Sequence, residues 1–295
     1  MNFQHAFHVG QTNLIENKES DRDLVNDPRG VVWMFEPPMP DAHYVIGCDP
    51  TVGITGWNRS MRTKEDHKVD NAAIEVFRIG AVPRIVMKGD KPEIDSFTKK
   101  PKIIMADKQV CEFAAPVDAV ETARILCLLG RIYKGDAEEY CELIYEAYPG
   151  PGVLTTQELL RLGYSNLWHW EYIDSEAEET NRIGWRSSRE SQKLLWYRAR
   201  RHLMEKRFQF ESPWLIKEYA TAETNIDTQR AKAATGFHDD RFQAANMAFW
   251  AAHKWTYDPE RSPQPVTSSP DINWQTYAPV IGQEKRSWRD DLADW

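Results

Sequence analysis

The sequence predicts an α/β fold in which a mixed β-sheet is flanked by helices, and three observations lead there. Short apolar runs alternate with longer periodic segments, in the order strand, strand, strand, helix, strand, helix, strand, helix. Two of the runs, "YVIGCDPTVG" (Tyr44 to Gly53) and "CELIYEAYPGPG" (Cys141 to Gly152), each reach an acidic residue, Asp49 or Glu146, and then a turn rich in Pro and Gly. A third segment, "TGFHDDRFQAANMAFW" (Thr235 to Trp250), opens an Ala-rich helix on the acidic pair Asp239 and Asp240.

Residues 1–43 are polar and broken by Asp27-Pro28-Arg29-Gly30 and Pro37-Pro38-Met39-Pro40, so they read as an extension or linker with one short strand, Val31 to Phe35. Tyr44 to Cys48 is a strand. Asn58 to Asp70 is a charged loop, long enough to be functional. Asn71 to Arg78 alternates Ala72, Ile74 and Val76 with other residues and reads as the second strand, with a third near Arg84 to Lys88. Pro116 to Tyr133 repeats apolar residues at three- and four-residue steps, as a helix does. Cys141 to Ala147 is a strand, Gln157 to Leu162 a short helix and Leu167 to Tyr172 a further strand. Glu190 to Arg207 is a helix with Leu195 or Trp196, Ala199 and Leu203 inward, and Phe237 to Trp255 is the last helix. The domain therefore spans 44–256. From 257 to 295, Pro and Ser recur in a tail that buries too little to fold by itself.

Composition narrows the class. The 295 residues are 41% hydrophobic and 28% charged, which suits a globular protein with a sizeable core. Apolar runs such as Val31 to Phe35 are far shorter than the roughly 20 residues of a membrane span, so no membrane partner is expected. The N-terminal Met1-Asn2-Phe3-Gln4-His5 lacks the layout of a secretory signal, and the protein reads as intracellular. Cys48, Cys111, Cys127 and Cys141 form no C-x-x-C pair, so buried free thiols are expected. The net charge of -8 argues against a nucleic-acid binder, but its distribution does not. Arg182, Arg186, Arg189, Lys193, Arg198, Arg200, Arg201, Lys206 and Arg207 face only Glu190 and Glu205 within one window. Attraction to phosphate is local, decaying over about 8 Å at physiological salt, so such a segment still holds a nucleic-acid backbone.

Two acids at strand ends and an acidic pair at a helix start are able to converge on one sheet edge. Hydrolysis of a phosphodiester needs charge stabilised on both the attacking and the leaving oxygen, which two Mg²⁺ or Mn²⁺ ions about 3.5–4 Å apart provide. Such hard cations prefer carboxylate oxygens, and acids on rigid strand ends hold their positions. Each residue also has a plainer reading. Asp49 before Pro50 suits a turn, Glu146 a solvated strand end, and Asp239 and Asp240 a helix first turn, where acids complement the dipole. The basic segment is equally a solvated helix face, and His238 is better placed as a supporting residue than as a ligand of a hard ion.

"VIGCDPTVG", "LIYEAYPGPG", "GWRSSRESQKLL" (Gly184 to Leu195) and "GFHDDRFQAANMAFWA" (Gly236 to Ala251) together resemble the nuclease domain of the large terminase subunit of tailed bacteriophages, in the family's order over roughly residues 44–255. The resemblance implies a ribonuclease H-like fold and a metal-dependent endonuclease that cuts double-stranded DNA during viral genome packaging. Carried over, Asp49, Glu146 and Asp239 or Asp240 hold two Mg²⁺ or Mn²⁺ ions; Arg186, Arg189, Lys193, Arg200 and Arg201, from the basic segment, are expected to grip DNA. It also implies an ATPase motor domain, portal and small terminase subunit as partners, in the host cytoplasm. No G-x-x-x-x-G-K-[ST] phosphate loop exists in this chain, so the expected ATPase is not here. Phe3 to Phe7 is similar to the segment between the ATPase and nuclease domains, which favours a part of a longer terminase. A junction resolvase-type nuclease of the same fold, and a non-catalytic DNA-binding or assembly module, are the alternatives.

Overall fold

The computed structural model describes residues 5–9, 24–26, 31–51, 71–148, 150–173, 179–224, 231–233 and 238–252. From the N-terminus, β1 (His5–Val9), β2 (Leu24–Asn26) and β3 (Val32–Met34) form an antiparallel group. There follow β4 (Tyr44–Asp49), β5 (Ala72–Ile85), the small hairpin β6 (Met87–Lys88) with β7 (Lys91–Pro92), and β8 (Ile103–Ala115). Then come α1 (Ala119–Ile132), β9 (Glu142–Tyr148), α2 (Pro151–Arg161), the paired strands β10 (His169–Ile173) and β11 (Glu179–Ile183), and β12 (Trp185–Arg186). The chain continues through α3 (Arg189–Met204), β13 (Phe208–Gln209), α4 (Pro213–Thr221), the pair β14 (Ala222–Thr224) and β15 (Ala231–Ala233), and α5 (Asp240–Ala252).

Among the described residues one sheet runs in the order β12-β9-β4-β5-β8-β3-β1-β2, with β13 added beside β8. Within it β4 and β5, and β5 and β8, are antiparallel, whereas β4 and β9, and β9 and β12, are parallel. Counted along the chain, β4, β5, β8, β9 and β12 therefore lie in the spatial order 3-2-1-4-5 with the second strand reversed. This is the ribonuclease H-like arrangement, and it is a mixed sheet flanked by helices as the sequence predicts. Successive β4 side chains point to opposite faces. Tyr44, Ile46 and Cys48 join one apolar cluster with Ala123, Leu126 and Leu129 of α1, while Gly47 faces Ala244 and Ala248 of α5. The described residues fall into two units, with 171–173 and 179–181 in the second and the remainder in the first.

Local chemistry sets the boundaries. The Asp118 carboxylate accepts from Glu121 N at 2.8 Å and starts α1. Ser188 and Ser191 close a reciprocal capping box at the start of α3. The helix expected from Gln157 begins earlier, because Gly150 takes a φ of 85° and Pro151 stands at the first helical position, where its missing N–H costs nothing. The strand expected at Asn71 to Arg78 continues through an irregularity between Arg78 and Val82 as β5, which takes in Arg84 and Ile85 of the next expected strand, while Met87 and Lys88 form β6. Gly80 supplies the turn there with a φ of 60°, and its N–H is held by Asp107 Oδ1 at 2.8 Å. The third strand of the order is β8, which apolar patterning does not identify. Residues 1–43, expected to hold one strand, contribute β1, β2 and β3 to the main sheet. The four cysteines are free and buried, as expected. The charged loop Asn58 to Asp70 and the tail 257–295 lie outside the described residues. Among the described residues no helix is long and apolar enough to cross a membrane.

Candidate functional site: an acidic edge of the sheet

β4 and β9 run parallel in a register that pairs Val45 with Glu142 and Cys48 with Tyr145. One step further along, Asp49 and Glu146 stand at the same end of neighbouring strands, both half-buried. The next strand continues the row, since Trp185 of β12 pairs with Glu146. On the other side of β4, Asp49 pairs with Ala73 near the start of β5. Just before it, the N–H of Asn71 donates to Asp240 Oδ2 at 3.1 Å, which fastens the first turn of α5 to this edge. His238 Nδ1 lies 3.4 Å from the same Asp240 oxygen.

Asp49, Glu146 and Asp240 are thus carried to one edge by three elements. Their neighbour Asp239 is used differently: its Oδ2 accepts from Ala233 N at 3.3 Å and its carbonyl from Gln243 N at 2.9 Å. The donor set is chemically suited to a hard divalent cation, being carboxylate oxygens on rigid supports. Among the described residues, however, no group of three or more His, Cys, Asp or Glu side chains lies close enough together to hold a metal ion. The backbone positions converge, but the side chains do not form a closed cage.

The basic segment starts at this edge. Arg186 sits opposite Tyr148, and Ser187 N donates to Tyr148 O at 2.7 Å. Arg186, Arg189, Arg200 and Arg201 are exposed and Lys193 is half-buried. Lys193 pairs with Glu190 at 3.3 Å and Arg201 with Glu205 at 2.9 Å. Arg200 lies eleven residues beyond Arg189, about 16 Å along the helix. The face between is anchored from below: Leu195 and Ala199 are buried, and the Arg198 guanidinium stacks 3.6 Å from the ring centre of Trp250. Trp185 is buried against that same Trp250.

Beneath α5 lies a polar network that the sequence does not announce. Arg241 donates to Glu112 at 2.9 Å and to Glu218 at 3.1 Å, and Gln109 Nε2 donates to Glu75 at 2.6 Å. Glu75, Gln109 and Glu112 are fully buried. Burial raises the Glu218 carboxyl to about 7 against the pull of Phe242 N and Arg241. Burial, with the neighbouring charge of Glu112, likewise pushes Glu75 well above the carboxylate range. The one signal in the sequence is a lone Glu inside each of two otherwise apolar stretches, "AAIEVF" and "VCEFAA".

The molecule is therefore an α/β protein with a ribonuclease H-like sheet and an acidic edge. It is similar in structure to the large terminase nuclease from thermophilic phage G20c, at 13% sequence identity over 76% of this chain and 90% of that one, with a TM-score of 0.48. It is similar also to the large terminase nuclease domain of Thermus phage P74-26, at 13% identity over 76% of this chain and 86% of that one, with a TM-score of 0.46. No protein-family model and no curated protein matches the chain.

Proposed function

We propose that the chain is a metal-dependent endonuclease that cuts double-stranded DNA with little sequence preference, the nuclease module of a large terminase subunit acting in viral genome packaging. The observation that carries this reading is the placement of Asp49, Glu146 and Asp240 on one edge, from two parallel strand ends and a helix first turn. Asp49, Glu146 and Asp240 would hold two Mg²⁺ or Mn²⁺ ions, with Asp239 beside them engaged by Ala233 N. Bound there, the ions would stabilise charge on the attacking and leaving oxygens of an in-line displacement. Arg186 and Arg189 beside the edge, and Lys193, Arg200 and Arg201 along α3, would grip the phosphate backbone, which positions DNA without reading its sequence. The products would carry 3′-hydroxyl and 5′-phosphate ends. In the host cytoplasm the partners would be an ATPase motor domain, portal and small terminase subunit.

The test is cleavage of supercoiled plasmid in Mn²⁺, Mg²⁺ and EDTA, with Asp49→Asn alongside. Metal-dependent nicking and linearisation that vanish in the variant support the reading. A plasmid left intact in every metal but shifted on a gel favours a DNA-binding or assembly module instead. Preference for branched over linear DNA would favour a junction resolvase-type nuclease.

A further inference from the structure

Asp240 owes its position to contacts made by the residues around it. Arg241 reaches from α5 to two elements at once, donating from Nε to Glu112 Oε1 on β8 and from Nη1 to Glu218 Oε1 on α4. Glu218 turns its other oxygen to the backbone, accepting from Phe242 N at 3.0 Å. Asp240 itself accepts from Asn71 N, ahead of β5. The first turn of α5 is thereby tied to β8, α4 and the start of β5.

Ala244 and Ala248 of α5 lie directly on Gly47 of β4, while Phe249 and Trp250 pack further along the helix against Phe77 and Trp185. These contacts fix how close the helix comes and hold its C-terminal half, while its first turn is held by Phe242 against Trp196 and Tyr219 and by the polar contacts of Asp240 and Arg241. Stability alone does not explain an arginine here, because apolar residues of similar volume usually serve as well as a buried ion pair. What a forked guanidinium adds is direction, since its planar donors are satisfied in one arrangement only.

We infer that Arg241, held by Glu112 and Glu218, is a positioning residue that sets the rotation and height of α5 and so places the Asp240 carboxylate on the acidic edge. The catalytic consequence rests on the nuclease reading of that edge; the placement itself does not.

The test compares the full chain with Arg241→Gln, Arg241→Lys and the double variant Glu112→Gln/Arg241→Gln. Amide hydrogen exchange, thermal unfolding, calorimetric titration with Mn²⁺ and plasmid cleavage are measured on each. In Arg241→Gln, exchange at Asn71 and at the first turn of α5 should accelerate while β4 and β9 stay protected. Mn²⁺ affinity and cleavage rate should fall about 10- to 100-fold, as losses of supporting groups do, with DNA affinity in EDTA unchanged. Arg241→Lys, a point charge without the fork, should recover only part of this. The double variant removes the Glu112 charge together with that of Arg241 and leaves Glu218 without its guanidinium, so its unfolding midpoint should return part of the way toward wild type while cleavage stays low. Wild-type exchange and Mn²⁺ affinity in Arg241→Gln would overturn the inference, as would cleavage that recovers together with stability in the double variant. Should the wild type itself fail to cut, the nuclease reading falls and the exchange at Asn71 alone decides the positioning role.

Discussion

The Asp240 carboxylate accepts a hydrogen bond from the backbone of Asn71 at 3.1 Å, across 169 residues of chain. Asn71 leads into β5, where Ala73 pairs with Asp49. One short contact therefore brings the acid of the last helix to the acid of the central strand. It also separates two adjacent residues by role, since the Asp239 carboxylate is engaged with Ala233 instead.

That separation gives the first prediction. Asp49→Asn and Asp240→Asn should each reduce metal-dependent cleavage more than about 100-fold, beyond the loss expected for a merely supporting group. Asp239→Asn retains an acceptor for Ala233 N and should fall less. Plasmid cleavage rates in Mn²⁺, with unfolding midpoints to show that each variant is folded, give the comparison. Equal losses at Asp239 and Asp240 would mean that both serve the edge.

Gly47 provides a test of the support beneath the edge. A Cβ at this position would lie 2.0 Å from Ala244 O and 2.7 Å from Ala248 N, both backbone atoms of α5. No rotamer relieves such a clash, so Gly47→Ala must lift the helix from the sheet. The expected cost is about 3 kcal/mol or more, the upper range for overpacking a core. Urea unfolding measures it; a loss below about 1 kcal/mol would show that α5 shifts easily.

The sequence makes the sheet's central strands legible because their burial shows as plain apolar runs. Tyr44 to Cys48 and Glu142 to Ala147 are buried almost throughout, and both acids appear where those runs stop. β8 is hidden because its buried residues include Asp107, Gln109 and Glu112. Their partners Gly80, Glu75 and Arg241 are distant in the chain, so burial without an apolar pattern has no local signature. The same reason conceals Arg241, which looks like one more surface charge after Asp239 and Asp240. Gly80 and Pro83 make the single long β5 look like two strands, a local punctuation that pairing with β8 overrides.

The basic helix yields a prediction in salt. Arg200 and Arg201 are exposed, and Arg201 is already paired with Glu205. The double variant Arg200→Ala/Arg201→Ala should weaken DNA binding alike on unrelated sequences. It should lower the slope of log affinity against log salt by about 1 to 2, roughly 0.9 for each phosphate that the protein no longer neutralises. Binding titrations at several salt concentrations read this directly, and an unchanged slope would remove these arginines from the DNA path.

Asp107 makes stability depend on pH. It is 2% exposed, and burial raises its carboxyl from 3.8 to about 7 although Gly80 N and Arg207 favour the charged form. Between those values the folded chain keeps a proton that the unfolded chain has lost, so stability falls as pH rises through the window and levels off above it. Asp107→Asn abolishes this titration while its side-chain oxygen still accepts from Gly80 N. Relative to wild type the variant should therefore gain stability with rising pH, by up to about 4 kcal/mol across the window at 1.36 kcal/mol per pH unit. Glu218, also raised to about 7, titrates in both proteins and largely cancels from the difference. Urea unfolding at about pH 4 and about pH 8 provides the comparison. A stability difference that stays constant between the two would show that Asp107 ionises in the folded protein as it does in the unfolded chain, and that burial at the β5 irregularity is less costly than the structure implies.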